Sequence, residues 1–238
     1  MNIISINSSS EGNAHLIESG GFHLLLDCGV PLSRIREALD YKLENVVGCL
    51  VSHLHGDHAS GLPQLERETS IPIYCTEGTL KRFELSGRYQ RIDHKVVFNC
   101  GPEFQVVPFE LEHDKEPFCE CFGFMVCNRT RQRYQKRLLY ITDAGFVPEN
   151  YRFPHIHYLM IEANYSFDRL VDSEVNAAAR KRIAETHLSI SQVCEFVSRH
   201  PDLKEIHLLH LSDGHSDAME FKRMVQDIAA VPVYIAGK

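Results

Sequence analysis

The 238-residue sequence contains no apolar stretch long enough to span a membrane. Its first residues, Met1-Asn2-Ile3-Ile4-Ser5-Ile6, lack the basic and then apolar regions of an export signal. A soluble, cytoplasmic chain that makes no use of a membrane is expected. Excess positive charge is also missing: 25 Lys and Arg stand against 32 Asp and Glu, a formal net charge of −7. This argues against a surface coated for non-specific nucleic-acid binding, although a metal centre would still make a cleft locally positive. No disulfide framework is evident, because the eight cysteines (28, 49, 75, 100, 119, 121, 127 and 194) are scattered and several lie in apolar runs such as Val47-Gly48-Cys49-Leu50-Val51. They read as reduced core residues. Low-complexity segments and linkers are absent as well, so one compact domain over residues 1–238 is expected.

What is present is a twice-repeated order of strands followed by helices. Ile3 to Ile6, His15 to Glu18 and Phe22 to Leu26 read as a β-meander around the polar turn Ser8-Ser9-Ser10-Glu11-Gly12-Asn13. A helix is expected from Leu32 to Leu39, then a buried strand at Val46 to Val51 and helices at Leu62 to Glu68 and Thr79 to Leu85 around the short strand Ile73-Tyr74. Strands are next expected at His94–Phe98, Glu103–Phe109, Phe122–Cys127, Arg137–Ile141 and His157–Ile161, and helices at Glu174–Glu185, Ser191–Arg199 and Asp217–Ile228. This order suggests an α/β fold with two sheets packed face to face and helices outside, an αββα sandwich. The most basic stretch, from Arg129 to Arg137, is either a solvated hairpin or a substrate-binding arm.

The chemistry concentrates in Ser52-His53-Leu54-His55-Gly56-Asp57-His58, at the end of a buried strand. Three imidazoles and a carboxylate within six residues, at a strand-to-helix turn, can diverge toward two neighbouring metal ions. Nitrogen and oxygen donors suit zinc, manganese or iron, and the lack of cysteine in the cluster favours an open catalytic site over a closed structural one.

That segment resembles the HxHxDH signature of the metallo-β-lactamase superfamily, and Leu25-Leu26-Asp27-Cys28-Gly29 resembles its LLDxG strand. Glu112-His113-Asp114, Thr142-Asp143-Ala144-Gly145 and Leu209-His210-Leu211-Ser212 resemble the family's later motifs, in the family's order. The resemblance implies the αββα sandwich and two divalent ions. His53, His55 and His113 would hold one, Asp57, His58 and His210 the other, and Asp143 would bridge them. Read without the cluster, His113 is better taken as a hairpin-surface histidine and Asp143 as a turn aspartate, while His210 is as natural a satisfied core histidine as a ligand. Two such ions lower the pKa of a shared water and stabilise charge on a phosphoryl group, and Asp57 would also orient the nucleophile.

Within the superfamily, Ser8-Ser9-Ser10-Glu11-Gly12-Asn13-Ala14 resembles the GSxGNA turn of the YycJ-like group, related to the phosphodiesterase PhnP and RNase Z, with serine in place of the first glycine. Thr186-His187-Leu188-Ser189 is similar to the motif in which a histidine acts near the leaving group, so the resemblance makes His187 the candidate general acid. The alternative is that Ser189 caps the next helix and His187 decorates its approach. The expected function is a dinuclear phosphodiesterase, a nuclease of the DNA-exonuclease or other nucleic-acid-processing kind. Three other readings stay open: a phosphodiesterase for a small cyclic or diester nucleotide, a glyoxalase-type thioester hydrolase, and a metal-stabilised nucleic-acid binder without catalysis.

Overall fold

A computed structural model of the chain describes residues 1–87, 89–114, 118–129, 135–148 and 151–237. The core of the basic stretch, residues 130–134, lies outside the described residues. The chain divides into two compact units, one of residues 1–110, 115–135 and 237, the other of residues 111–114, 136–236 and 238.

In the first unit, the expected meander forms from β1 (Asn2–Ser9), β2 (Gly12–Ser19) and β3 (Phe22–Leu26), paired antiparallel. The strands β4 (Val46–Leu50), β5 (Ile73–Cys75) and β6 (Tyr89–Arg91) then add in parallel, giving a six-stranded sheet in simple order. Helix α1 (Leu32–Ala38) buries Leu32 and Ile35, and α3 (Leu62–Glu68) buries Leu62 and Leu65. That three-residue spacing aligns one face of each helix with the core formed by Leu16, Leu25, Cys49, Val51 and Ile73. Between them lies the four-residue α2 (Gly56–Ala59), and after β5 comes α4 (Glu77–Arg82), capped by Thr76. The unit also contains β7 (Phe98–Cys100), β8 (Phe104–Leu111) and β9 (Cys121–Asn128), with β7 and β8 antiparallel.

The second unit is built on β10 (Arg137–Ile141), β11 (Tyr158–Glu162), β12 (Glu205–Leu209) and β13 (Val233–Ile235), all parallel and in the order β13-β12-β11-β10. Its helices are α5 (Phe167–Asp172), α6 (Ala177–Thr186), α7 (Ile190–Ser198) and α8 (Ala218–Ala229). Each begins where a side chain accepts from the exposed backbone N–H groups: Ser166, Asn176, Ser189 and Asp217 are the caps, and Ser189 with Gln192 completes a capping box. Among the described residues no helix is long and apolar enough to cross a membrane, and no disulfide joins the cysteines.

The structure differs from the expected strand at His94–Phe98. Residues 93–97 form a turn in which Lys95 has φ 57°, its N–H donates to the Pro108 carbonyl at 2.8 Å, and Val96 and Val97 lie open to solvent. The β-branched pair suggested a strand that the backbone does not make. Helix α5 and strands β6 and β13 are additional short elements, and β6, Tyr-Gln-Arg, is exposed along its whole length and offers no apolar alternation.

One close approach fixes the geometry around the His-rich turn. A Cβ on Gly29 would fall 1.6 Å from the Asp57 carbonyl oxygen. Beside it, the Cys28 N–H donates to the His58 carbonyl at 2.7 Å and the Gly61 N–H to the Cys28 carbonyl at 2.8 Å. Gly29→Ala is therefore expected to destabilise the protein by more than about 3 kcal/mol, a fall of about 6–12 °C in Tm for a chain of this size. Calorimetric melting checks this, and an unchanged Tm would contradict the packing of the segment after β3 on α2.

Candidate functional site

In the first unit the four clustered residues sit where β4 gives way to α2. Ser52 and His53 follow the end of β4, His55 occupies the N-cap position, and Asp57 and His58 lie in the short helix. His53 Nε2 is 3.0 Å from His55 Nδ1, and the His53 ring centroid lies 4.6 Å from that of His55 and 4.3 Å from that of His58. Two metal–nitrogen bonds of 2.0–2.1 Å at a tetrahedral angle place their nitrogens about 3.3 Å apart, so this pair is close to ligand spacing.

The anchor of the cluster is Asp27, fully buried just past β3 with φ 58°. Its carboxylate accepts from the Ser52 N–H at 2.7 Å, the Ser52 hydroxyl at 3.0 Å and His58 Nδ1 at 2.8 Å. A carboxylate only accepts, so Nδ1 of His58 carries the proton and Nε2 carries the lone pair a metal requires. The Ser52 hydroxyl spends its single hydrogen on Asp27. It therefore accepts from His53 Nδ1 at 3.0 Å, which makes Nε2 the lone-pair nitrogen of His53 as well.

In the second unit the residues gather at the carboxyl ends of the parallel strands. Asp143 follows β10 with φ 46°, Glu162 closes β11, His210 follows β12 with φ 49°, and His187 links α6 to the cap of α7. One metal-ligating atom from each of Asp143, Glu162, His187 and His210 falls within 4.8 Å of the others, and of these Asp143 and His210 supply the carboxylate and imidazole types a divalent ion takes. His187 Nδ1 is 2.5 Å from Glu162 Oε1 and 3.4 Å from Asp143 Oδ1. His210 Nδ1 is 3.1 Å from the same Glu162 oxygen. The other Glu162 oxygen accepts from the N–H groups of Leu188 at 3.1 Å and Ala144 at 3.3 Å. Burial opposes the charge on His187, but the facing Glu162 carboxylate outweighs it and holds the imidazolium above the ordinary histidine range. Glu162 shows the reciprocal balance, with burial pushing its carboxyl up and His187 pulling it below the usual carboxylate range.

His113 belongs to this unit, in the segment tied down by the Gly145 N–H donating to the Glu112 carbonyl at 2.9 Å. Its Nδ1 donates to the Thr186 carbonyl at 3.0 Å, so Nε2 is again the lone-pair nitrogen, and its ring centroid is 5.7 Å from that of His187. Arg182 binds Asp114 at 3.2 Å.

The structure thus groups His53, His55, Asp57 and His58 in the first unit, and His113, Asp143, His187 and His210 in the second. Sequence reasoning gave no role to Asp27 or Glu162. The signal was there in each case, a carboxylate closing an apolar strand: Leu24-Leu25-Leu26-Asp27 and Leu159-Met160-Ile161-Glu162.

Residues 10–126 match the family model of the metallo-β-lactamase superfamily. The exodeoxyribonuclease YycJ of Bacillus anthracis is 27% identical over 225 residues, covering 86% of this chain and 80% of that protein. The exodeoxyribonuclease WalJ of Streptococcus pneumoniae is 26% identical over 239 residues, covering 93% and 86%. The solved metallo-β-lactamase fold protein YhfI from Bacillus subtilis aligns with a TM-score of 0.69 at 17% identity, covering 99% of this chain and 97% of that one, so the expected α/β class is the one observed. Residues 10–126 thus form a metallo-β-lactamase domain, and the chain that carries it is a metal-dependent hydrolase.

Proposed function

We propose that the chain is a two-metal phosphodiesterase that degrades DNA as an exonuclease in the cytoplasm, with zinc or manganese as its metals. The motif resemblance assigns His53, His55 and His113 to one ion, Asp57, His58 and His210 to the other, and Asp143 to both. Bound ions at such ligands supply an acidified water and neutralise charge on the phosphoryl group.

The observation that carries the phosphodiester reading is the Glu162–His187 pair. Glu162 takes the proton-bearing Nδ1 of His187 and fixes the ring, which leaves Nε2 to hold and deliver a proton to a departing oxygen. A sugar alkoxide is too basic to leave without that proton. A thiolate, whose conjugate acid has a pKa of about 8.5, leaves unaided, so the pair is of little use to a thioester hydrolase. DNA is favoured because the YycJ and WalJ relatives, which align with 86% and 93% of this chain, are named exodeoxyribonucleases. The net charge of −7 favours a second reading, a small cyclic or diester nucleotide, which needs no extended basic track.

The test is a screen of zinc- and manganese-reconstituted protein over single- and double-stranded DNA, RNA, cyclic nucleotides and a chromogenic diester. Release of mononucleotides from DNA ends is expected, and exclusive turnover of cyclic nucleotides would favour the second reading. Chelation should abolish turnover and added metal restore it, while Asp57→Ala should stay inactive under both metals; wild-type turnover in that variant would remove the metal cluster from the reaction. His187→Ala should slow DNA cleavage by about 10²–10⁴-fold. The same variant should barely slow a nitrophenyl diester, whose leaving group needs no proton. Equal losses on both substrates would argue against proton delivery by His187.

A further inference from the structure

The chemistry above gives the Ser8-to-Ala14 turn no task, yet its Asn13 side chain is buried, 1% exposed, against the His cluster of the same unit. Asn13 Nδ2 lies 3.0 Å from the Ser9 carbonyl, 3.3 Å from Asp57 Oδ2, 3.4 Å from the Asp57 carbonyl and 3.0 Å from His58 Nε2. The two carbonyls only accept, so this edge of the amide is the NH₂ group, with two hydrogens to give. The turn that carries it is braced from both sides. The Asn13 carbonyl accepts from the Gly29 N–H at 2.9 Å, and Asn7 Nδ2 donates to the Gly12 carbonyl and to Ser9 Oγ. Gly12 has no room for a side chain, because a Cβ there would meet the Gly29 carbonyl at 2.4 Å. The bond to the Ser9 carbonyl serves the hairpin, but joining β1 to β2 does not call for an amide that also reaches Asp57 and His58.

We propose that Asn13 is a positioning residue for Asp57: one N–H anchors the amide on Ser9 and the other donates to Asp57 Oδ2, which fixes the orientation in which that carboxylate would meet a metal. His58 Nε2 has a single in-plane lone pair, so with a metal on His58 the second hydrogen belongs to Asp57 alone. The inference rests on Asp57 and His58 being metal ligands.

Asn13→Asp keeps the shape of the side chain and removes both donors, and Asn13→Ala removes the side chain. Both variants and the wild type are compared in zinc titration of chelator-treated protein, in turnover of a chromogenic diester, and in thermal melting. Loss of an outer hydrogen-bond partner is expected to weaken one zinc equivalent and lower kcat by about 10–100-fold in both variants, with KM little changed. An Asn13→Asp protein with wild-type zinc affinity and kcat would show that Asn13 only fills space and would overturn the proposal, as would zinc binding tighter than wild type. The titration does not depend on which substrate the enzyme cleaves. His58→Ala separates the two levels: if it keeps both zinc equivalents, the ligand assignment falls and takes the inference with it. If it loses one while Asn13→Asp loses none, the inference alone falls.

Discussion

A carboxylate with no exposure to solvent must find donors for its charge, and Asp27 finds them in the segment that carries the metal-binding motif. Its three hydrogen bonds tie the end of β3 to the end of β4 and to α2. They also select which nitrogen of His58, and through Ser52 of His53, keeps its lone pair. The fold and the ligand chemistry of the first unit therefore share one anchor. Removing the Asp27 charge would disturb both, since the Ser52 and His58 donors are buried with it and have no solvent to fall back on.

Both units present chemistry in the same way. A largely buried apolar strand runs parallel to at least one neighbour, and the polar residue comes where the strand ends: Asp27 after β3, His53 after β4, Asp143 after β10, Glu162 at the end of β11 and His210 after β12. Strand interiors are excluded from this work by their own burial. Carboxyl ends are open to loops and to the amino ends of helices, which is why such sheets bind ligands there.

That regularity explains how much the sequence disclosed. The long apolar runs and the dense polar turn at 52–58 were legible because burial and metal ligation both demand particular residue types at short range. The helix starts at Ser189 and Asp217 fell within a residue or two of expectation because capping is equally local. Strand β6 was not legible, since it exists by pairing with β5 rather than by any pattern in Tyr89-Gln90-Arg91. The turn at 93–97 misled for the converse reason, exposed valines standing where the carbonyl of Pro108 decides the backbone. The strand-end carboxylates Asp27 and Glu162 were visible in the sequence but their partners were not, since the roles of Asp27, Glu162 and Asn13 depend on residues 31, 25 and 44 positions away in the chain.

Asp143 and His210 both hold left-handed backbone at strand ends, a conformation in which aspartate, asparagine and histidine are over-represented and glycine is unstrained. The residue types that suit a metal thus overlap with those that suit the corner. Exchange of either residue for asparagine or glycine keeps that backbone conformation accessible while removing the carboxylate or imidazole, so at these two corners the turn and the chemistry are separable demands that happen to choose the same residue.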